Sequence, residues 1–285
     1  MAASSVVRTE VLGLVPAAGY RDTFAAAAAA PGPGSELPAG WEGVYFPFAE
    51  PFDRLRADGS PDGTADVIPD FGLPRRMFAG EDTEFVAPLR FGEEVTQTTV
   101  LGEVAEKNGR SGRLVFADAV REYRVGGELR IRSVWHDVFL EAAPAAPAAQ
   151  AQATQPAAET AQPAPVEVGA DWWRHERVLD SRHLFRYSAL TFNTHRVHYD
   201  RAWAREVEGL DDLLVHGPLT RMLLLDAASA AHPERRATAF GFRSKAPLFV
   251  DRPITITGHD LPDGSTEVLA LAPDGTLAAR GVVSW

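Results

Sequence analysis

Residues 215–232 read VHGPLTRMLLLDAASAAH, and they carry the clearest structural signal in the chain. Pro218 suits the first turn of a helix, and the side chains that follow it are apolar nearly all round. Such a helix has little polar surface to present to water. We therefore predict a buried helix with Pro218 at its first position, which forms the centre of the second half of the chain.

Two stretches show the pattern of antiparallel strands. Polar and apolar residues alternate in VTQTTV, residues 95–100, and in ITITGH, residues 254–259. Dipeptides that are typical of tight turns separate the neighbouring strands: Asn108-Gly109, Gly126-Gly127, Asp263-Gly264 and Asp274-Gly275. Each half of the chain is therefore predicted to end in an antiparallel meander.

The halves also share landmarks that precede the meanders. Ala87-Pro88-Leu89 is followed by Phe91 and Glu93, and Ala246-Pro247-Leu248 by Phe249 and Asp251. The first half has its own helix candidate in the alanine-rich segment Arg21–Ala30, which PGPG at residues 31–34 would end. Two copies of a helix with a meander predict an α+β architecture of two antiparallel sheets side by side, each wrapped around a central helix.

A compositionally distinct segment separates the halves. Residues 142–166, AAPAAPAAQAQATQPAAETAQPAPV, have no hydrophobic periodicity and contain prolines that interrupt a helix. We interpret this segment as a linker between an N-terminal domain, residues 1–141, and a C-terminal domain, residues 167–285. Both are of ordinary domain size.

Composition limits the partners and the chemistry. The net charge is −11 over 285 residues, which argues against general affinity for nucleic acid or an anionic membrane surface. The absence of cysteine excludes disulfides, thiolate catalysis and cysteine-ligated metal. The first sixteen residues, MAASSVVRTEVLGLVP, predict neither a signal peptide nor a membrane span, and a cytoplasmic location is the default expectation.

Residues 192–200, FNTHRVHYD, place two histidines three residues apart shortly before the buried helix. Imidazoles exchange protons near neutral pH, and a helix start presents N–H groups without helical partners. Together they suit a reaction in which a proton moves while negative charge develops on a carbonyl oxygen. The alternatives for the histidines alone are a structural or surface pair, and a partial metal site with Asp200 for which the sequence offers no further ligand cluster.

At these residues the chain resembles the hydratase-2 or MaoC-like dehydratases, whose pattern is Asp-x-Asn-Pro-x-His; here residues 193–198 read NTHRVH. Nearly the whole chain resembles double-hotdog members with a FAS1-like dehydratase domain at the N-terminus. The variant FNTHRVHYD, with LPRRMFAG at 73–80 and KNGRSG at 107–112, is similar to mesaconyl-CoA and itaconyl-CoA hydratases and mitochondrial-type 3-hydroxyacyl-thioester dehydratases. The resemblance implies a double hotdog fold with a non-catalytic first domain.

The resemblance also implies roles for the motif. His198 falls on the catalytic histidine of the family, Asn193 on its aspartate and His195 on its asparagine. Because Asn193 cannot ionise, we expect His195 to complete the proton relay, with Asp200 orienting an imidazole. Capping, or an ion pair with a neighbouring arginine, is the alternative for Asp200.

The helix start and several basic residues complete the expected site. The N–H of Gly217 is the candidate donor to the thioester carbonyl oxygen, and His216 is expected to orient the site. Arg243 and Lys245 are candidates for the phosphates of coenzyme A, with a solvent-facing strand edge as the alternative. Arg75 and Arg76 are candidates for a carboxylate or phosphate of the substrate.

The expected function is a hydro-lyase that reversibly hydrates an enoyl-CoA, of the mesaconyl or itaconyl type. No metal or other cofactor is expected beyond the coenzyme A of the substrate, and no nucleic acid or membrane partner. A homodimer of double-hotdog chains is one candidate assembly, and the sequence does not decide it. One alternative is a 3-hydroxyacyl-carrier-protein dehydratase of fatty-acid or polyketide synthesis. Others are a thioesterase and an acyl-thioester binding module without catalysis.

Overall fold

The structure is a computed structural model, and it describes residues 5–48, 50–62, 67–109, 112–141 and 166–285. The predicted linker lies almost wholly outside the described residues. Within the described ranges, no helix is both long and apolar enough to cross a lipid bilayer.

Strands dominate the first half, which contains β1 Ser5–Val11, α1 Leu14–Phe24, β2 Arg75–Phe85, β3 Glu94–Gly109, β4 Gly112–Val125 and β5 Glu128–Leu140. The second half contains β6 Trp173–Val178, α2 Ser181–Thr191, α3 Arg201–Glu206, α4 Gly217–Ala231, β7 Ala239–Ser244, β8 Pro253–Asp260, β9 Thr266–Leu271 and β10 Leu277–Ser284. Short 3-10 turns lie at Trp41–Val44, Phe52–Arg54 and Arg196–His198.

The strands repeat one order in each half. The sheet runs β1-β3-β4-β5-β2-β7-β10-β9-β8-β6, so that the first five positions and the last five are mirror images in chain order. β2 and β7 are equivalent strands, and they pair antiparallel at the centre, with Thr83 opposite Phe240. The two predicted antiparallel sheets are therefore joined into one ten-stranded sheet rather than only lying side by side.

Helix α4 is the buried helix that the sequence predicts. It spans Gly217–Ala231 with Pro218 in its first turn, and it packs against strands of both halves. Leu219, Leu224 and Leu225 are fully buried. Their burial removes the large apolar surface that would otherwise face water, which is the main favourable term for packing such a helix.

The helix predicted at Arg21–Ala30 lies earlier in the chain. α1 spans Leu14–Phe24, and the alanines from Ala25 onward form a turn instead. Ala17, Tyr20 and Phe24 recur at helical spacing and are buried, whereas the alanine run has no large side chain to bury. Tertiary packing therefore outweighs the high helix propensity of alanine.

Three of the four predicted turns are confirmed, since Gly126-Gly127, Asp263-Gly264 and Asp274-Gly275 each lie between paired strands. The remaining turn is displaced. Asn108 pairs with Arg113 and Gly109 with Gly112, so the dipeptide predicted as a turn lies inside the ladder of β3 and β4. The residues between the two strands, 110–111, lie outside the described residues.

A buried ion cluster ties α4 to the first half. Arg221 is 2% exposed; its Nη2 lies 3.2 Å from Glu42 Oε1, and its Nε lies 3.0 Å from Glu81 Oε2. Nη2 also donates to Thr83 Oγ1 at 2.7 Å. Burial of Glu42 raises the pKa of its carboxyl, against the opposing charge of Arg221. Removing one partner of such a cluster leaves an uncompensated buried charge, which costs about 3–5 kcal/mol.

Candidate active site

The FNTHRVHYD motif follows directly on helix α2. Phe192 ends the helix in the left-handed region, at φ 52°, and the N–H of Asn193 still donates to Ser188 O at 2.8 Å. Asn193 Oδ1 then accepts from the N–H of His195 at 3.0 Å. This local turn directs the chain into the 3-10 turn that carries His198.

The imidazole of His198 has a defined tautomer. Its Nδ1 lies 2.8 Å from the carbonyl oxygen of Leu214, and since a carbonyl only accepts, Nδ1 carries the hydrogen. The lone pair is then on Nε2, and His198 lines the cavity described below. Burial lowers the pKa of His198 to about 3, with a further lowering from His195. His198 is therefore neutral at physiological pH and able to accept a proton through Nε2.

His216 supports this imidazole from behind. The two rings are stacked, with centroids 3.6 Å apart and planes at 19°. His216 is fully buried, and its Nε2 lies 2.9 Å from Ser188 Oγ on α2. Burial holds the pKa of His216 well below its ordinary value, so the stack forms between neutral rings. His216 does not line the cavity, and its orienting role stays a prediction.

The start of α4 presents backbone donors to the same cavity. His216 is the N-cap residue and its side chain makes no capping hydrogen bond, so the first-turn N–H groups lack a side-chain cap. Gly217 lines the cavity. A Cβ at this position would lie 2.5 Å from Cδ1 of Phe78. Glycine therefore allows the ring of Phe78 to pack directly against the helix start.

His195 faces charged groups from both halves. Its ring centroid lies 5.5 Å from that of His198, at a right angle, and its Nε2 lies 3.8 Å from Asp58 Oδ2. Burial lowers the pKa of His195, and the charges of Asp58 and Glu208 oppose this effect.

Asp58 and Glu208 supply the acidic neighbours that the sequence did not reveal. His195, Asp58 and Glu208 each offer an atom within 4.8 Å of the others, a spacing that would also suit a divalent cation. Arg75 lies 3.4 Å from Glu208 and already supplies positive charge there.

A cavity of about 1100 Å³ is lined by His195, His198 and Gly217. Both halves line it. Of the predicted site residues, it brings together Asn193, His195, His198, Gly217, Lys245 and Arg76. Asp200, Arg75 and Arg243 do not line it.

Asp200 has a structural role. Oδ1 accepts from the N–H of Trp203 at 3.0 Å and caps α3, and Oδ2 pairs with Arg196 at 2.6 Å. The hydrogen bond from Trp203 and the one from Arg196 lower the pKa of this carboxyl. The described contacts of its carboxylate do not include an imidazole, so the capping alternative describes it.

The predicted basic residues separate into paired and unpaired groups. Arg243 forms two bonds to Asp82 across the β2–β7 pair, at 2.7 and 2.6 Å, and Arg76 pairs with Asp137 at 2.7 Å. Lys245 is exposed beside the cavity, and the described residues give it no carboxylate partner.

Several residues of the site were not identified from the sequence. Ser188 and Glu208 lie just outside the motif, before and after it. Asp58 is far from the motif in sequence, and Arg121 is one of many charged residues on a strand. The only local signal is Asp58-Gly59, a dipeptide typical of a turn. Its partner across the fold is not visible in the sequence pattern.

Comparisons with known proteins show the family of the chain. The model of the family described as hydroxyacyl-thioester dehydratase type 2 matches residues 40–250. A mesaconyl-C(4)-CoA hydratase of Chloroflexus aurantiacus is 37% identical over 257 residues, which cover 89% of this chain and 85% of that protein.

Solved structures show the same architecture. A MaoC-like dehydratase has a TM-score of 0.68 at 19% identity, over 99% of this chain and 97% of that one. A conserved hypothetical protein of Mycobacterium tuberculosis with a double hotdog fold has a TM-score of 0.62 at 14% identity, over 99% and 94% of the two chains. The predicted α+β double hotdog fold is thereby confirmed. Because the family model covers most of its length, the chain belongs to the hydroxyacyl-thioester dehydratase type 2 family.

Proposed function

We propose that the protein is a hydro-lyase that reversibly hydrates an enoyl-CoA, and that the acyl group is a short, branched dicarboxylic one of the mesaconyl type. The observation that carries the proposal is the placement of His198. Its Nδ1 is held by Leu214 O at 2.8 Å, and its ring stacks on the N-cap residue of α4. A neutral proton acceptor therefore lies beside the N–H groups of a helix start.

In the hydration direction, Nε2 of His198 accepts a proton from water as the water oxygen bonds to Cβ of the enoyl group. The electron pair of the double bond moves toward the thioester carbonyl, whose oxygen gains negative charge. The N–H of Gly217 and the dipole of α4 stabilise that charge. A donor of this kind contributes about 3–4 kcal/mol to the transition state.

The second proton transfer belongs to His195. Its protonated imidazole donates a proton to Cα of the enolate. The proton that His198 took from water then passes to His195, which restores both histidines to their starting states. Asn193, which lines the same cavity, holds the water by hydrogen bonding. Each step is thus assigned to a side chain or a backbone N–H of the chain.

The cavity favours an acyl group that carries its own carboxylate. Arg121 lines it, with its guanidinium carbon 4.4 Å from the ring centroid of Trp135, and the described residues offer it no carboxylate partner. The ring centroids of Trp135 and Phe78 are 4.3 Å apart, and Phe78 packs on Gly217. The rings of Phe78 and Trp135 therefore lie between the helix start and Arg121, whose guanidinium can bind an anion.

Lys245 supports coenzyme A as the carrier. It is exposed beside the cavity, where an ammonium group suits the phosphates of the cofactor portion. An acyl carrier protein is the alternative carrier. We also propose that two chains form a homodimer, which sedimentation velocity of the purified protein would test.

The deciding experiment is an activity panel. Purified protein is incubated with mesaconyl-CoA, itaconyl-CoA, crotonyl-CoA and crotonyl-acyl carrier protein, and loss of the enoyl absorbance is followed. We expect the highest kcat/KM with mesaconyl-CoA. Preference for the carrier-protein thioester would move the assignment to a carrier-protein dehydratase. Release of free thiol without hydration would instead indicate a thioesterase.

A further inference from the structure

A turn of the first half is docked on the catalytic motif. Gly59 has φ +82°, and a Cβ there would lie 1.9 Å from the carbonyl oxygen of Thr194. Thr194 Oγ1 donates to Gly59 O at 2.7 Å, and the N–H of Arg196 donates to Asp58 O at 2.7 Å. The backbone of the turn and the backbone of the motif therefore hold each other in a fixed register.

The carboxylate of Asp58 is oriented by this turn. Oδ1 accepts from the N–H of Ser60 at 2.8 Å and from its hydroxyl at 2.6 Å. Oδ2 is directed toward Nε2 of His195, 3.8 Å away. Asp58 is only 8% exposed, so solvent screens this charge weakly.

We propose that Asp58 is a positioning residue for the hydration described above: it supplies from the first half the carboxylate that the motif lacks at Asn193, and it stabilises the imidazolium of His195. The inference rests on the proposed function. Proton donation from His195 to Cα needs the protonated imidazole, which a nearby negative charge favours.

The surroundings of the two catalytic histidines differ accordingly. His195 faces Asp58 and Glu208, with Arg75 behind Glu208, whereas the imidazoles of His195 and His216 lie beside that of His198. Burial takes the pKa of His198 to about 3, while the two carboxylates oppose the lowering at His195. These different surroundings suit one imidazole to accept a proton and the other to donate one.

The test uses the full-length protein with Asp58→Asn and Asp58→Ser, since serine can retain the turn through its hydroxyl. Asp53→Asn is the matched control, because Asp53 is an exposed carboxylate five residues earlier. The pH dependence of kcat/KM for mesaconyl-CoA and the proton NMR titration of the histidine ring hydrogens are measured for each.

Because His195 must be protonated to donate, kcat/KM falls as the pH rises through its pKa. Loss of the Asp58 charge lowers that pKa. The alkaline limb of the kcat/KM profile should therefore move toward acid by about one pH unit in both variants, and kcat/KM on that limb should fall about tenfold. The His195 NMR titration should move in the same direction. Asp53→Asn should match the wild type.

If both variants keep the wild-type rate, the alkaline limb of the pH profile and the His195 titration, the role of Asp58 is overturned and the proposed function is not. Loss of wild-type activity after dialysis against EDTA, restored by Mn²⁺ or Zn²⁺, would also overturn it, because the carboxylates would then hold a cation. Failure of the wild type and of Asp53→Asn to hydrate any thioester in the panel would instead overturn the proposed function.

Discussion

The imidazole of His198 lies flat against that of His216, with ring centroids 3.6 Å apart. Ser188 holds the rear ring at Nε2 and Leu214 holds the front ring at Nδ1. The unprotonated nitrogen of His198 is therefore fixed by two elements on opposite sides of the motif, α2 and the segment before α4.

His198→Ala should reduce kcat/KM at least about 100-fold, because a general base typically contributes 10²- to 10⁴-fold. Steady-state hydration of mesaconyl-CoA measures this, and thermal unfolding shows whether the fold persists. His175→Ala, an exposed histidine on β6, serves as the control. A wild-type rate in His198→Ala would refute its assignment; an inactive His195→Ala beside an active His198→Ala would give the base to His195.

Gly217→Ala should lower kcat more than it raises KM. The new Cβ would lie 2.5 Å from the ring of Phe78, so the ring or the helix start must move away from the position that serves the developing oxyanion. Gly13→Ala is the matched control, since no heavy atom lies within 4 Å of its added Cβ. The smaller side chain of Phe78→Leu, combined with Gly217→Ala, should restore part of kcat. Unchanged kcat in Gly217→Ala would place the oxyanion donor elsewhere.

Arg121→Gln should change substrate preference. A charged hydrogen bond to a carboxylate is worth about 1.5–3 kcal/mol, so kcat/KM for mesaconyl-CoA should fall about 10- to 100-fold while that for crotonyl-CoA changes little. Arg124→Gln, on the same strand but paired with Glu122, should leave both substrates unaffected. Equal losses for both substrates would show that Arg121 does not recognise the carboxylate.

The buried carboxyl of Asp226, which lies away from the motif, should make the stability of the fold depend on pH. Burial raises its pKa to about 6, against hydrogen bonds from Trp41 Nε1 and Tyr20 Oη. Since the pKa of Asp226 in the fold lies above the ordinary value of 3.8, the stabilising contribution of the protonated carboxyl is complete below about pH 4 and is lost as the pH rises through 6.

Asp226→Asn should therefore gain stability relative to the wild type between pH 4 and 7, by about 3 kcal/mol at most. Urea unfolding across this range measures the difference. Asp22→Asn, an exposed carboxylate on α1, provides the comparison and should run parallel to the wild type. A constant difference between Asp226→Asn and the wild type at all pH values would contradict the raised pKa.

The sequence predicted those parts of the fold that depend on local pattern. Pro218 and the apolar run after it placed α4, and alternation with glycine turns placed the two meanders. The segment at Arg21–Ala30 misled because helix propensity is only a weak preference, and the helix forms where Tyr20 and Phe24 can be buried.

The motif likewise predicted the cavity-facing histidines but not their neighbours. Asp58 reaches His195 only because a turn of the first half docks on the second, a contact that no periodicity in either segment encodes. Asp200 was nearer in sequence, yet the first turn of α3 and Arg196 already occupy its carboxylate. Proximity along the chain was therefore a poor guide to the partner of the imidazole.

The mirrored strand order has a consequence for how such a protein can diversify. One repeat carries His195 and His198, to which we assign the proton transfers, and the other contributes Arg121, Trp135 and Phe78 to the wall of the cavity. In the proposed mechanism, the chemistry and the recognition of the acyl group therefore belong to different repeats. Exchanging side chains on β2, β4 and β5 offers a route to enzymes for new acyl groups that leaves the chemistry of the other repeat in place, provided that the turn at Asp58 is kept.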